Sequence, residues 1–548
     1  MAPRAAGAAV LSLVLAACGP KLLPPVSTPT PLPAPPADTQ PAPALPRIEA
    51  AAPAETAPLP VAPPRAQREF RAAWVSPVWA MGVKDWPSRV GMSTEEQQAE
   101  LRATFDRAKE LGLNAIVMHV RTAGDALYPS EHAPWSLYLT GSSGRAPSPY
   151  YDPLAFAIEE AHARGLQLHA WFNPFRALVP GLEANPAPTH VTRAHPEWVV
   201  KYGTQTWIDP GEPAARRAVL DAIVDVVRRY DVDAIHLDDY FYPYRERAPI
   251  PVRKNGRRVP AGDLPFPDDY TWQRYGEPRG FASRSEWRRA NVDDFIRALY
   301  RETKAEKPWV LVGISPFGIW RPGSPPGITG LDAYAEIYAD SRRWLTEGWV
   351  DYLAPQLYWQ LGGEQARFRR LDAWWRTQNP RARHLWPGLF TSRVTGASSG
   401  WSVAEIPEQV DWLREQRSGT DEAPGHVHFR LGTIRLGNGG LGERLQQTYA
   451  DPALVPASPW LGAHAPAPPR RAVVERGVLM VAAGDTTSVR WWLLRARDAG
   501  GRWHVELHPG DDLVIRTPLV DASRYPLLSV AAIGRTELEG SAVGVVRR

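Results

Sequence analysis

The sequence predicts an α/β fold, a TIM-type (β/α)8 barrel followed by a small all-β module of fibronectin or immunoglobulin type. Three observations carry this prediction. Between Arg68 and Leu431, apolar runs alternate with amphipathic stretches about eight times, the pattern of a parallel sheet covered by helices. Several runs end in polar or aromatic side chains, as in Leu237-Asp238-Asp239-Tyr240 and Trp171-Phe172-Asn173, which suits a barrel whose strand C-termini build a site. No glycine-rich phosphate loop follows the first strand, which argues against the alternative of an open doubly wound sheet.

The chain has 548 residues, a net charge of +4, 57 prolines, 23 tryptophans and one cysteine. Its basic residues are interleaved with acidic ones, which gives no case for a nucleic-acid partner. Residues 1–18 read as a lipoprotein signal peptide: Arg4, a short apolar run, and small residues before the cysteine. Leu15-Ala16-Ala17-Cys18 resembles the bacterial lipobox, so Cys18 is the expected lipidation site. By resemblance to Gram-negative lipoproteins, Gly19 after it implies sorting to the outer membrane, facing the periplasm. With Cys18 acylated, no cysteine remains for a disulfide. Residues 19–66, rich in Pro and Ala, are expected to form an extended, unfolded tether.

The barrel domain is expected over 67–462. Its first strand lies at Phe70-Arg71-Ala72-Ala73-Trp74-Val75. Helical stretches Thr94 to Leu111, Leu154 to Arg164 and Pro213 to Arg229 lead to strands beginning at Ala115, Leu166 and Ala234. Further helices, Arg288 to Ala305, Tyr334 to Glu347, Glu364 to Gln378 and Val403 to Arg417, lead to strands beginning at Val310, Tyr352, His384 and Gly425. An insertion from Pro243 to Trp287 is expected to wall or cover the cleft. A linker at 463–472 precedes the β-sandwich at 473–548, whose strands include Val489 to Leu494 and Trp503 to Leu507.

Period-2 alternation selects candidates for the cleft. It sends His119 and Arg121 inward from the second strand, His169, Trp171 and Asn173 from the third, and His236, Asp238 and Tyr240 from the fourth. Gln356 and Tyr358 follow from the sixth, and His426, His428 and Arg430 from the eighth. Asp125 and Glu131 lie in the loop after the second strand, while Arg176, Trp320, Arg321 and Trp359 lie just past strand ends. Flat aromatic faces suit stacking on sugar rings, and the arginines suit an acidic glycan. Glycoside hydrolysis needs a protonated acid and usually a second carboxylate. Asp238 is the first choice for the acid, with neighbouring rings and Asp239 raising its pKa. The second group stays open among Asp239, Asp125, Asp209, Asp268 and Asp269. A route in which the substrate's own N-acetyl group acts as nucleophile also stays open. The histidines suggest a metal, but their spacing matches no tight metal signature, and no metal or other cofactor is assigned.

Several motifs occur together and in order: Phe70-Arg71-Ala72-Ala73-Trp74-Val75, Gly124-Asp125-Ala126-Leu127-Tyr128-Pro129-Ser130, Trp171-Phe172-Asn173-Pro174-Phe175-Arg176, His236-Leu237-Asp238-Asp239-Tyr240-Phe241-Tyr242-Pro243, Gly313-Ile314-Ser315-Pro316-Phe317-Gly318-Ile319-Trp320-Arg321-Pro322 and Ala354-Pro355-Gln356-Leu357-Tyr358-Trp359. From about Arg68 to about Asp451 the chain resembles the family-10-like glycosyl hydrolases of bacterial lipoproteins. That family includes an outer-membrane hydrolase of peptidoglycan glycan strands stripped of their peptides. The resemblance implies a TIM barrel, glycosidase chemistry and peptidoglycan glycan strands as the partner; Asp238 and Asp239, from the strand reading, are the candidate catalytic residues. Two alternatives stay open: a cell-wall glycan-binding lipoprotein without turnover, and a metal-dependent carbohydrate hydrolase or deacetylase.

Overall fold

The computed structural model describes residues 54–181, 185–247, 262–394, 400–462, 464–485 and 489–548, with the backbone of a short hairpin at 253–254 and 257–258. The expected signal peptide, Cys18 and the expected tether up to residue 53 lie outside the described residues. No helix among the described residues is long and apolar enough to cross a membrane.

Eight parallel strands form the barrel: Phe70–Val75, Ala115–Arg121, Gln167–Phe172, Ala234–Leu237, Leu311–Ile314, Tyr352–Leu353, a seventh in two halves, His384–Leu385 and Gly388–Leu389, and Gly425–His428. Each pairs with its sequence neighbours, and the eighth pairs with the first, Phe70 beside Gly425. The seventh strand breaks at Trp386-Pro387, because a proline cannot donate to a ladder. Its first half pairs with the sixth strand and its second with the eighth. The Gly388 amide donates to the Pro355 carbonyl at 2.9 Å, which keeps the ring closed across the break.

Helices Thr94–Glu110, Pro153–His162, Pro213–Arg229, Arg284–Glu306, Arg367–Thr377 and Glu405–Arg417 lie close to their expected positions. The expected helix at 334–347 is two short ones, Ala333–Glu336 and Ser341–Glu347. Asp332 caps the first and Asp340 the second, and Tyr338 between them has φ +56°. Each aspartate offers the chain a new helix start, so one amphipathic pattern becomes two helices. Between the third strand and its helix lies an unforeseen antiparallel three-stranded sheet: Arg176–Leu178, Val199–Tyr202 and Gln205–Ile208.

The barrel interior mixes small and aliphatic side chains, among them Val117, Leu311 and Val427, with large aromatic ones. Phe70 stacks on Trp386 at 3.9 Å between ring centroids. The Tyr352 hydroxyl lies between two buried imidazoles, 2.9 Å from His169 Nδ1 and 2.8 Å from His236 Nδ1. The Trp74 indole N–H donates to His236 Nε2 at 3.2 Å. Since an indole nitrogen only donates, His236 carries its proton on Nδ1 and donates to Tyr352. Tyr352 then donates to His169 Nδ1, and His169 Nε2 donates to the Gln167 side-chain oxygen at 3.1 Å. Gly313 makes room for this column, because a Cβ there would lie 1.8 Å from the Tyr352 ring.

Residues 471–548 form two four-stranded sheets packed around Trp492, Leu494 and Val530. The first strand, Arg471–Glu475, begins inside the segment expected as a linker. The segment from residue 54 also departs from a free tether. The Glu55 amide donates to the Arg470 carbonyl at 2.8 Å, and Ala57 and Gly544 exchange amide bonds at 2.9 and 2.8 Å. The module is docked at the N-terminal end of the barrel: Arg490 pairs with Asp233 and Arg535 with Asp231, both at 2.6 Å, and Gln167 donates to Glu537 at 2.9 Å. Burial works against a charged Asp233, but Arg490, His162 and the Leu168 amide outweigh it and hold the carboxyl below its usual range.

Replacing Tyr352 with Phe removes the hydroxyl and leaves two buried imidazoles short of a partner. The expected cost is about 2 to 4 kcal/mol, read as a lower urea midpoint at unchanged slope; an unchanged midpoint would show that the column contributes little.

Candidate active site

A cavity of about 180 Å³ opens at the C-terminal end of the barrel, where its strands run out. Asp238 and Asp239 sit in its wall, 4% and 3% exposed. The fourth strand explains Asp238: Ile235 and Leu237 pack outward against the helices, so His236 and Asp238 point inward. Asp239 follows in the turn beyond the strand and reaches the same cavity.

The two carboxyls have different surroundings. Asp238 Oδ1 accepts from the Tyr240 amide at 3.2 Å, while Oδ2 has no partner. Burial pushes the Asp238 carboxyl up to about 8, the Asp239 charge adds to that, and Arg176, the Tyr240 amide and the Trp171 indole act the other way. Burial also raises Asp239, but it accepts from the Tyr244 hydroxyl and is drawn back by Gln356 and Arg176. The pair therefore shares a proton near neutral pH, and Asp238 is the better place for it. Arg176 lies over the Tyr240 ring, 4.4 Å from its centroid.

Trp171, Asn173, Arg176, Tyr240, Gln356, Tyr358 and Arg430 all line the cavity with the aspartates. Arg430 is nevertheless occupied: it pairs with Asp85 and donates to the carbonyls of Ser76 and Val78. It clamps the loop after the first strand to the eighth and is not free to bind a substrate. Asn173 donates to the Thr122 carbonyl at 3.2 Å and leaves its side-chain oxygen unpaired.

Four other candidates do not line the cavity. Arg121 points away because the second strand bulges: His119 is beside Trp171, yet Arg121, two residues on, is beside Phe172. Phe172 packs outward, and Arg121 goes with it. Asp125 is spent on the Thr122 amide, the Thr122 hydroxyl and the Ala123 amide. Trp320 donates to Asp340 at 3.0 Å and stacks on Trp374, and Trp359 packs edge-on to Phe317. The other proposed second carboxylates are also engaged elsewhere. Asp209 accepts from Thr271 at 2.6 Å, Asp268 holds Arg288, and Asp269 pairs with Arg284 at the surface.

Trp74, Ser76, Ser315 and Phe429 line the cavity without having been singled out. Alternation carried from Phe70 through Ala72 to Trp74 and Ser76 was the available signal. His119 stacks on Trp171 at 3.9 Å and 8°. The Ser76 hydroxyl accepts from the Val78 amide and lies 2.9 Å from His119 Nδ1. With Ser76 donating to Nδ1, Nε2 bears the proton and has no protein partner. Burial holds this imidazole well below its ordinary pKa, so it is a neutral donor in the cavity wall.

His426 and His428 face outward, because Val427 is the residue that packs inside the barrel. Both contact the Tyr449 hydroxyl, and His428 also contacts Thr391. Among the described residues, no group of three or more His, Cys, Asp or Glu side chains is placed to hold a metal ion.

A neutral carboxylic acid beside a second carboxylate, in an aromatic cavity at the strand C-termini of a barrel, is equipment for cleaving a glycosidic bond. Comparison with known proteins agrees: residues 69–402 match the family described as glycosyl hydrolase-like 10. The chain belongs to that family. It is 38% identical over 415 residues to glycosyl hydrolase YngK of Bacillus subtilis, covering 74% of this chain and 77% of the relative. To glycosyl hydrolase DigH of Escherichia coli it is 33% identical over 434 residues, covering 74% and 88%. The glycoside hydrolase domain of PgaB from Bordetella bronchiseptica aligns with a TM-score of 0.47 at 14% identity, over 71% of this chain and 100% of that one. The protein is a glycoside hydrolase.

The raised Asp238 carboxyl has a consequence for stability in this hydrolase. A group whose folded pKa exceeds its unfolded value stabilises the fold at low pH and loses that contribution as pH rises. The contribution of this group is therefore expected to decline between about pH 4 and pH 8, by up to about 1.4 kcal/mol per unit, against the opposite trend of the buried histidines, whose pKa values burial lowers, so it is read as the difference between wild type and variant. Asp238→Asn should flatten the decline and exceed wild type in urea midpoint at pH 8. Parallel curves for the two proteins would place the shared proton elsewhere.

Proposed function

We propose that this glycoside hydrolase cuts N-acetylated cell-wall glycan, peptidoglycan strands free of peptide, and that the substrate's acetamido group supplies the nucleophile. The observation that carries the mechanism is the position of the carboxyls. Asp238 and Asp239 are the only carboxylates among the described residues lining the cavity, and they are neighbours in the chain. A pair flanking the bond from opposite faces, as retaining and inverting enzymes use, is not what adjacent residues in one wall provide.

In this reading Asp238, protonated, gives its proton to the glycosidic oxygen as the C1–O bond breaks. Asp239, ionised and held by Tyr244, accepts the acetamido N–H and orients the carbonyl oxygen, which forms the new bond to C1. The leaving sugar departs with the Asp238 proton. Water then attacks C1, Asp238 takes a proton from it, and the acetamido group is restored. Both displacements invert C1, so the product retains its configuration. Trp74 and Trp171 offer ring faces for the sugar, and His119 Nε2 offers a donor.

The resemblance to lipoprotein glycosyl hydrolases supports the glycan assignment, and the Leu-Ala-Ala-Cys run supports a lipid anchor on Cys18 in the outer membrane, facing the periplasm. Purified protein is expected to release reducing ends from peptide-free strands with retention at C1. Asp238→Asn and Asp239→Asn should each lower kcat/KM by about 100-fold or more. An inverted product would overturn the acetamido route, and wild type that binds strands but releases nothing would overturn the substrate. For the anchor, palmitate labelling in cells is expected for wild type and lost in Cys18→Ser; equal labelling of both would place the acyl chain elsewhere.

A further inference from the structure

A second cavity lies outside the barrel wall, behind the second strand, and the displaced Arg121 is part of its lining. The residue is 4% exposed, and its Nε and Nη1 have no hydrogen-bond partner among the described residues. A buried guanidinium without a counter-charge is costly, because desolvation removes the water that would otherwise solvate it. Burial accordingly lowers its pKa, and Tyr128 and Asp125 only partly oppose this. Asp125 gives no relief by contact, since its oxygens accept from Thr122 and Ala123.

The space in front of Arg121 is built rather than incidental. It measures about 330 Å³, within the range of small-ligand sites. Val191, Trp198, Ile208 and Val219 supply apolar walls, and Ser130 and His132 stand with them around the opening. One planar guanidinium favours a planar carboxylate, which it can hold through two parallel hydrogen bonds. A phosphate would ask for more cations than this pocket offers, and Glu131 in its lining disfavours a dianion. The apolar walls ask for a short aliphatic body behind the carboxylate.

We propose that this pocket binds a small monocarboxylate with a two- or three-carbon aliphatic body, held by Arg121, at a site distinct from the catalytic cavity. Two sources share that chemistry: a free short-chain hydroxy acid, and a lactyl group carried on a sugar. The second source rests on the cell-wall reading above, whereas the first does not.

The test is saturation-transfer NMR on the full chain with D-lactate and, separately, N-acetylmuramic acid, with N-acetylglucosamine as the sugar lacking the carboxylate. Wild type is expected to bind D-lactate, and Arg121→Gln to weaken it at least tenfold. Ala218→Phe, which fills the pocket from its half-buried helical wall and leaves Arg121 in place, should do the same. This second variant keeps the test sharp if Arg121→Gln folds poorly. Binding of N-acetylmuramic acid that Ala218→Phe abolishes assigns the sugar-borne source; loss of D-lactate binding alone assigns the free acid. Wild type that binds neither acid, or variants that bind as wild type does, would overturn the proposal. Glycan hydrolysis is scored on the same preparations, so failure of the catalytic reading is seen independently.

Discussion

The site depends on one phenol in the barrel axis. The Tyr352 hydroxyl accepts from His236 and donates to His169, and these directions follow from the Trp74 indole, which has only a proton to give. The whole column is thereby neutral. Burial pushes His169 down to about 4 and His236 well below its ordinary value, so neither becomes a cation below the cavity. This matters above the column. A charged imidazole at His236, two residues before Asp238, would pull the Asp238 proton off; a neutral one leaves burial and Asp239 in control.

The wall opposite is fixed by a different interaction. Arg430 and Asp85 form a buried ion pair, and Asp85 also accepts from the amides of Ser76 and Gly432 at 2.9 and 2.6 Å. Four points of the chain, Ser76 and Asp85 after the first strand and Arg430 and Gly432 after the eighth, are thus held together. Ser76 is placed by this clamp, and its hydroxyl in turn holds His119 through Nδ1 at 2.9 Å. Arg430 accordingly acts on the cavity through others, although its position on the sequence gave it the look of a binding residue.

Alternation along strands was a good guide wherever the ladder is regular. It put His236 and Asp238 on one face and Ile235 and Leu237 on the other, as the structure does. It misled where backbone detail intervenes. The bulge after His119 turns Arg121 outward, and no glycine or proline between Ala115 and Arg121 marks it, since His119-Val120-Arg121 reads as plain alternation. In the eighth strand the expected inward histidines face out; Val427 packs inside, and a run of His-Val-His reads equally well either way. The barrel itself was legible because eight repeats of one pattern outvote local errors. The docking of the C-terminal module was not, since Arg490 and Asp233 are 257 residues apart and nothing in either segment names the other.

The charge balance of the cavity shows why a carboxylic acid survives there. Among the described residues of the lining, Arg176 is the one guanidinium not already committed to an ion pair, and it faces two aspartates. With one proton between them, the aspartates carry a single negative charge that Arg176 offsets. Removing that proton would leave a second charge in a wall where both carboxyls are nearly fully buried, with the Trp171 indole acting only against the larger effect of burial. Burial is costly for an unpaired charge and mild for a neutral acid. The proton therefore stays on Asp238 through neutral pH. The orphan oxygen, the single cation and the neutral histidine column are three aspects of one arrangement, which keeps an acid ready at the end of the fourth strand.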